Sequence, residues 1–589
     1  MKPVAAISAG WALSCLLTAW MPAPAMGQGA PDAPPTGAAP APTGSPARQA
    51  ADEVAPEGEF FESIDVSVVN IDVYVTDKKG KRILGLGKDD FELFEDRRPI
   101  QITNFYAVED GDPVLAGDEG ATGTLETPAT TARELAATEL PEDQRLHLVV
   151  YVDNWSLKPF SRNRTFSFVR EFLRNKLSRG DRVMLITYDR QPHVRRPFTA
   201  DPVGVAAALF ELEDLSGNGA RIDADRRDLL NEIADAEARD RVGLETQVRN
   251  YSESLYNDLS FQINALKELV STLAGLPGRK AILYLSEGLD MVPGEDLYYA
   301  LQEKFPNASN SVLEARNYDL SRRFRELTSA ANASRISFYT VDAAGLRSST
   351  SASVQQRTAG ASSIVDSVYW GNIQGSIRLM ADETGGTAIV NTNVPTQGLD
   401  VIAADFRNYY SLGYTPARVS DGRYHKVEVK TKEKGYIVRH RDGYRDRPVE
   451  TRMSDGVQSA LHFDIASNPL EVQIDRRSEA LREDGHYLVQ LSVRIPLGKL
   501  VIVPQGNRHV ARLRLFFAAL DDEGRMSDVS ESKLPIEIPE EELENARGGF
   551  YRYDVPLLMR RGPQRLAVGL RDELGQVSSF AVKTILVGG

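Results

Sequence analysis

Two stretches constrain this chain more than any others. Leu146 to Val152 (LHLVVYV) and Lys280 to Leu285 (KAILYL) are runs without alternation, apolar at nearly every position. A strand that alternates can leave one face in water, but a strand apolar throughout must be covered on both faces. The first run leads into Asp153 and the second into Ser286-Glu287. A third, Ile336 to Val341, leads into Asp342. Helical periodicity fills the spaces between them. Phe166, Val169 and Leu173 share one face of a helix over 161–177, and Leu255, Leu259, Ile263, Leu266, Leu269 and Leu273 form a stripe within a helical insertion at about 217–274. Further helices are expected over 202–212, 313–331, 377–383 and 398–407, with an edge strand at 193–197. Strands alternating with helices predict an α/β fold, a doubly wound and mostly parallel sheet of Rossmann-like type.

The flanks read as β. Val66 and Val68 alternate, then Val69, Ile71, Val73 and Val75 alternate in the other phase, which marks a bulge. With Phe91, Leu93, Ile100 and Ile102 they predict a small β-sandwich domain over 59–109. A linker rich in Thr, Ala and Glu follows at 110–143, and the α/β domain occupies 144–447. Its last strands, at 409–414, 425–429 and 436–439, have hairpin spacing and are expected to extend the sheet antiparallel. From 455 to 589 short strands separated by turns such as Asp521-Asp522-Glu523-Gly524 predict a second β-sandwich.

The N-terminus carries an address. Lys2, an apolar run from Val4 to Trp20, and small residues at Ala25 and Gly27 predict a signal peptide over 1–27. The chain is therefore expected to be secreted or periplasmic, without a transmembrane span, since no later stretch approaches the ~20 apolar residues a span requires. Residues 28–58, rich in Ala and Pro, read as a disordered linker. The single cysteine, Cys15, lies in the signal segment, which excludes a disulfide framework and a cysteine metal site. The formal net charge of −14 argues against nucleic-acid binding, which needs a basic face. The seven histidines form no HExxH pair, and P-loop and G-x-S-x-G motifs are absent. Arg439, Arg441, Arg445 and Arg447 form a basic run, read as a solvated strand edge or an acidic partner's contact.

In a doubly wound sheet, ligands bind beyond the carboxyl ends of the strands. The candidates are Asp153, Asn154 and Ser156 after the first run, and Glu287 and Asp290 after the second. The segment after Asp342 adds a loop, 347–372, whose Tyr369 and Trp370 are candidate partner anchors because aromatic side chains concentrate binding energy. In this order LVVYVDN, KAILYLSEGLD, ISFYTVDAAGL and MADETGGTAIV resemble a von Willebrand factor A domain. VNIDVYVTDKKGK, GLGKDDFELFED and ITNFYAVED before it, with NYYSLGYTP and KVEVKTKEKGYIVRHRDGY behind it, resemble the secreted von Willebrand factor A-related family described from acidobacteria.

That resemblance implies a metal-ion-dependent adhesion site holding magnesium, with Asp153, Ser156 and Glu287 as metal ligands and Asn154, Asp290, Tyr369 and Trp370 meeting a protein partner. The chain departs from the motif. Trp155 and Leu157 occupy the two serine positions, Glu287 replaces an aspartate, and the threonine region is replaced by Ser216-Gly217-Asn218-Gly219. The alternative role for Asp153 and Glu287 is to cap helices or accept loop amides. The expected function is an exported, non-enzymatic protein-interaction or adhesion protein. The alternative is a structural cell-envelope scaffold that binds without metal.

Overall fold

A computed structural model describes residues 68–114, 145–178, 180–306, 311–347, 362–416 and 421–589. The expected signal peptide, the expected 28–58 linker, nearly all of the expected 110–143 linker and the first half of the 347–372 loop lie outside the described residues.

The chain opens with β1 (Val69–Thr76), β2 (Phe91–Glu95), β3 (Arg98–Ile100), β4 (Asn104–Glu109) and β5 (Asp112–Val114). The α/β segment then runs β6 (Leu146–Val152), α1 (Pro159–Asn175), β7 (Arg182–Tyr188), β8 (Pro192–Thr199), α2 (Pro202–Glu211), α3 (Gly219–Asp235), α4 (Arg241–Leu273) and β9 (Arg279–Ser286). It continues through α5 (Glu295–Lys304), α6 (Ser311–Ala315), α7 (Ser321–Ala333), β10 (Ile336–Asp342), α8 (Ser363–Glu383), β11 (Ala388–Ile389) and α9 (Thr396–Arg407). The sheet order is β11-β10-β9-β6-β7-β8, parallel except for the β7–β8 edge pair. Successive strands leave β6 in opposite directions, so the switch point lies between β6 and β9.

The continuous apolar strands are covered on both faces. Leu148, Val150 and Val152 pack with Phe166 and Val169 of α1, Leu209 of α2 and Ile402 of α9. Val149 and Tyr151 pack with Leu259, Ile263 and Leu266 of α4 and with Phe324 and Leu327 of α7. The helix expected over 313–331 is broken into α6 and α7. Asp319 accepts the Ser321 amide (2.7 Å) and the Leu320 amide bonds Met291 O (2.8 Å), which diverts the backbone between them.

The next strands overturn an expectation. β12 (Tyr409–Tyr414), β13 (Tyr424–Thr431), β14 (Ile437–His440) and β15 (Gly443–Arg445) do not extend the parallel sheet. β12 lies between β1 and β4, antiparallel to both, and β13 pairs with β2 and β15. Two sheets, β14-β1-β12-β4-β5 and β15-β13-β2-β3, enclose Ile71, Val73, Leu93, Leu412, Tyr414 and Val427. The N-terminal strands and the strands after α9 thus build one core, with the α/β segment inserted between them. The reason is the edge on offer: β11 is two residues long and cannot pair with a six-residue strand.

Arginines join this module to the α/β sheet. Arg279 donates to Asp72 (3.2 Å), Tyr74 OH (3.0 Å) and Phe406 O (3.0 Å). The buried Asp405 accepts a bidentate pair from Arg439 (2.8 Å each) and a contact from Arg82. Arg441 is buried and donates to Asn332 O and Asn70 O. Arg439 and Arg441 are therefore internal joints rather than a solvated edge.

A helix unforeseen in the sequence, α10 (Val449–Phe463), spans the boundary placed at 455. Its Met453, Val457, Ala460 and Leu461 pack on Phe516, Ala518 and Ala567 of the C-terminal strands. Those strands are β16 (Gln473–Leu481), β17 (Tyr487–Pro496), β18 (Val503–Gln505), β19 (Arg508–Asp521), β20 (Ser530–Pro539), β21 (Phe550–Met559), β22 (Gly562–Asp572) and β23 (Val577–Val587), with a short helix α11 (Leu543–Arg547). They form sheets β16-β17-β21 and β18-β19-β22-β23, with β20 also on β19, over a shared core of Val493, Ile495, Leu513, Leu515 and Leu570. No helix among the described residues is long and apolar enough to cross a membrane.

Leu412 is fully buried at the centre of the shared N-terminal core. Leu412→Ala should destabilise the chain by about 2–5 kcal/mol and open 69–109 to protease. Limited proteolysis that cuts the variant only beyond 407 would contradict the shared core.

Candidate functional site

Asp153 follows β6 and is fully buried. Its Oδ2 accepts from Ser156 Oγ (2.6 Å), Ser286 Oγ (2.8 Å) and Tyr284 OH (2.9 Å), and its Oδ1 from the Ser156 amide (3.2 Å). Burial raises its pKa above the usual carboxylate value, and the hydrogen bonds from Ser156 and Ser286 oppose that rise. The register pairs Val152 with Leu285, so Asp153 and Glu287 emerge at the same sheet end.

Glu287 accepts the Lys158 amide (3.0 Å) and the Ser161 hydroxyl at the start of α1, and faces Lys158 Nζ (3.4 Å). It serves as the cap that Lys158, at the N-cap position, cannot supply from its own side chain. Asn154 is turned away from the sheet end. It donates to Ser216 O (2.7 Å) and accepts from the buried Arg162 (2.6 Å), whose other bonds go to Asn163 Oδ1, Leu215 O and Glu213 O. Trp155 and Leu157, at the serine positions of the adhesion motif, are both buried.

Beside this network lies a cleft of about 230 Å³ at the carboxyl ends of β6, β9 and β10. Of the candidates, Ser156, Glu287, Asp290, Tyr369 and Trp370 line it, whereas Asp153 and Asn154 do not. Tyr369 and Trp370 stand on α8, which begins at Ser363 rather than at 377. The Ser362 side chain caps it by accepting the Val365 amide (3.3 Å). Two glycines permit the close walls. A Cβ at Gly219 would stand 2.1 Å from Ser156 O, and one at Gly288, where φ is +99°, 2.6 Å from Ile373 O.

The cleft rests on ion pairs that the sequence concealed. Arg226 is buried, pairs with Asp296 (2.7 Å) and lies 3.5 Å from the Tyr369 ring centroid. Arg347 holds Asp342 in a bidentate pair (2.7 and 2.9 Å), donates to Glu287 O (2.6 Å) and covers the Trp370 ring at 4.7 Å. Lys158 also pairs with Asp223 (3.2 Å). Asp290 differs from these carboxylates: among the described residues its side chain accepts from the neutral Asn372 (3.2 Å). Burial and the nearby Asp296 push its pKa up to about 7, against the pull of Arg226.

The donor set does not suit a magnesium ion. Magnesium requires near-octahedral oxygen ligands. Here the Asp153 carboxylate accepts three hydroxyls, Glu287 is engaged by a helix terminus and an ammonium, and the serine positions are apolar. Among the described residues, a histidine–carboxylate group that could hold a metal lies elsewhere, at Glu95, Asp96 and His425. There His425 Nδ1 meets Asp96 (2.9 Å) and Nε2 meets Asp421 (3.1 Å), while Glu95 accepts from Tyr414 and Tyr444.

No family model matches the chain, and no curated protein matches it. Among solved structures it is similar to von Willebrand factor type A from Catenulispora acidiphila, at 9% identity over 76% of this chain and 66% of that one, with a TM-score of 0.21. It is also similar to the manganese-loaded TRAP protein of Plasmodium vivax (10% identity, 52% and 97%, TM-score 0.20). A third similar structure is the conserved hypothetical protein BatB of Bacteroides thetaiotaomicron (13% identity, 44% and 96%, TM-score 0.21). TM-scores this low establish neither a shared fold nor a shared activity, so the fold stands on strand order and register.

The Asp290 pKa gives a testable sign. A carboxyl whose folded pKa exceeds its unfolded value of about 3.9 contributes stability that is full below that value and is lost as pH rises through 7. Asp290→Asn cannot ionise. Its stability advantage over the native chain should grow from pH 4 to pH 7 and then level off, at about 1–3 kcal/mol after allowance for partial exposure. Denaturant midpoints showing a constant difference across that range would contradict the placement of Asp290.

Proposed function

We propose that the chain is an exported, non-enzymatic protein-interaction protein, of von Willebrand A-type architecture, that recognises a protein partner in the cleft at the carboxyl ends of β6, β9 and β10. The observation that carries this reading is the cleft's composition. Trp155, Tyr369 and Trp370 supply aromatic wall, and Asp290 supplies a carboxylate with no cation directly opposite. Aromatic anchors beside a few polar groups are what a binding site needs. None of the seven histidines lines the cleft, its carboxylates other than Asp290 are paired with Lys158, and the Ser156 hydroxyl that lines it is committed to the buried Asp153. The motif resemblance supports the same class of function, and the N-terminal address supports export to the periplasm or medium.

Recognition is direct rather than bridged by a cation, because the Asp153 and Glu287 carboxylates are already engaged. The partner offers a basic or polar side chain to Asp290 and an apolar one to Trp370. Capture of a partner from an envelope extract by the mature chain should therefore proceed equally with and without EDTA. Trp370→Ala should weaken capture by at least about 30-fold, a loss of about 2 kcal/mol or more. Capture abolished by EDTA, or unchanged by both Trp370→Ala and Asp290→Asn, would refute this reading.

A further inference from the structure

At the opposite end of the parallel sheet lies a second cavity, of about 340 Å³. It is bounded by the α4–β9 connection, the end of α7, β15, the start of α10 and the C-terminal strands. Its wall is firmly held. The Gly275 amide donates to Ser459 Oγ (3.0 Å), which donates in turn to Thr272 O (2.6 Å), tying α10 to the end of α4.

In a chain of net charge −14, this cavity is strongly cationic. Seven lysine and arginine side chains line it against two carboxylates, Asp446 and Asp455. Several of the cations have no carboxylate within ion-pair distance among the described residues, although Asp455 acts on Lys280, and Asp72 on Arg335 and Arg441, from further away. Lys280 is only 7% exposed, and among the described residues its ammonium donates to Leu276 O (2.8 Å) and to nothing else. Arg441, equally enclosed, meets only the carbonyls of Asn332 and Asn70. The Arg335 and Arg445 guanidiniums make no hydrogen bond or ion pair among the described residues. Arg447 alone of these five is paired, with Asp455 (2.5 Å). The strain registers electrostatically. Burial, then the charges of Arg335, Arg447 and Arg441, push the Lys280 pKa down to about 7.

Buried cations without counterions are costly, and a cleft of one sign concentrates ions of the other. We propose that this cavity is a binding site for a phosphate-class anion, held by Lys280, Arg335, Arg441 and Arg445. Guanidinium and ammonium groups together suit the several charged oxygens of such a ligand. At about 30 Å³ per water the space equals roughly ten waters, enough for more than a bare tetrahedral ion. The proposal is independent of the cleft at the other sheet end, whose residues it does not use.

The test is titration calorimetry and thermal melting of the mature chain at low ionic strength with inorganic phosphate, tripolyphosphate and citrate. Phosphate and tripolyphosphate should bind saturably, tripolyphosphate more tightly, and should raise Tm. Arg335→Gln and Arg445→Gln, both on exposed side chains, should each weaken binding by about tenfold, the loss of a charge-assisted contact. Lys280→Met should raise Tm in the absence of anion and lose most of the anion-dependent rise. A general stabilisation by phosphate excluded from the protein surface would leave the shift unchanged in all three variants and overturns the site. So does the absence of saturable binding by either phosphate probe, or binding of citrate alone. A Lys280→Met chain that is less stable without anion would make Lys280 a structural cap and also count against the proposal.

Discussion

A carboxylate fully withdrawn from water must be satisfied by the protein around it, and at the top of this sheet that carboxylate is Asp153. It accepts hydroxyls from its own loop (Ser156) and from the neighbouring strand (Tyr284 and Ser286). This stitches the ends of the two central strands together at the switch point. It also dictates the loop: with Ser156 folded back onto Asp153, Trp155 and Leu157 turn into the interior. The neighbouring acid, Glu287, is spent on the first turn of α1. What remains open to a ligand is the ground between β9 and α8, where Asp290, Tyr369 and Trp370 stand.

The other joints follow the same rule of enclosed charge paired with enclosed charge. Arg226 with Asp296 anchors the inserted helix α3 beside the cleft, and Arg347 with Asp342 fixes the segment leaving β10. Arg439 with Asp405 locks the β12–β15 strands under the sheet. Removing one partner of such a pair strands the other and costs about 3–5 kcal/mol. The two cavities depart from that rule with opposite sign: the cleft leaves the Asp290 carboxylate without an ion pair, and the second cavity leaves Lys280 and Arg441 without one. They lie at opposite ends of β9, near Glu287 and near Lys280, roughly 20 Å apart at ~3.3 Å per residue.

Much of this was legible from the residues. The apolar runs at Leu146–Val152 and Ala281–Leu285 announced strands covered on both faces, and their trailing acids announced the sheet end where a cleft would lie. Pairing between distant segments was not legible. Hairpin spacing at 409–440 shows that strands are present but not that β12 joins β1 and β4, which is decided by the shortness of β11. Helix α8 was hidden because its first turns carry serine, glycine and aromatic residues, so Tyr369 and Trp370 read as loop. Charge patterns misled at one place: Arg439 and Arg441 sit on a strand that looks like an edge, and their partners lie far away in sequence. The departure of Trp155 and Leu157 from the adhesion motif was visible from the start, and the structure supplies its consequence, a loop closed by hydrogen bonds.

The central proposal is that hydroxyls rather than a divalent cation satisfy Asp153. Anomalous diffraction from crystals of the mature chain grown or soaked with manganese tests it most directly. The expected result is no anomalous peak near Asp153, Ser156 and Ser286, with the three hydroxyl contacts retained. A peak at about 2.1 Å from an Asp153 oxygen, the distance of an octahedral divalent cation, with Ser156 or Ser286 turned to ligate it, would contradict the claim.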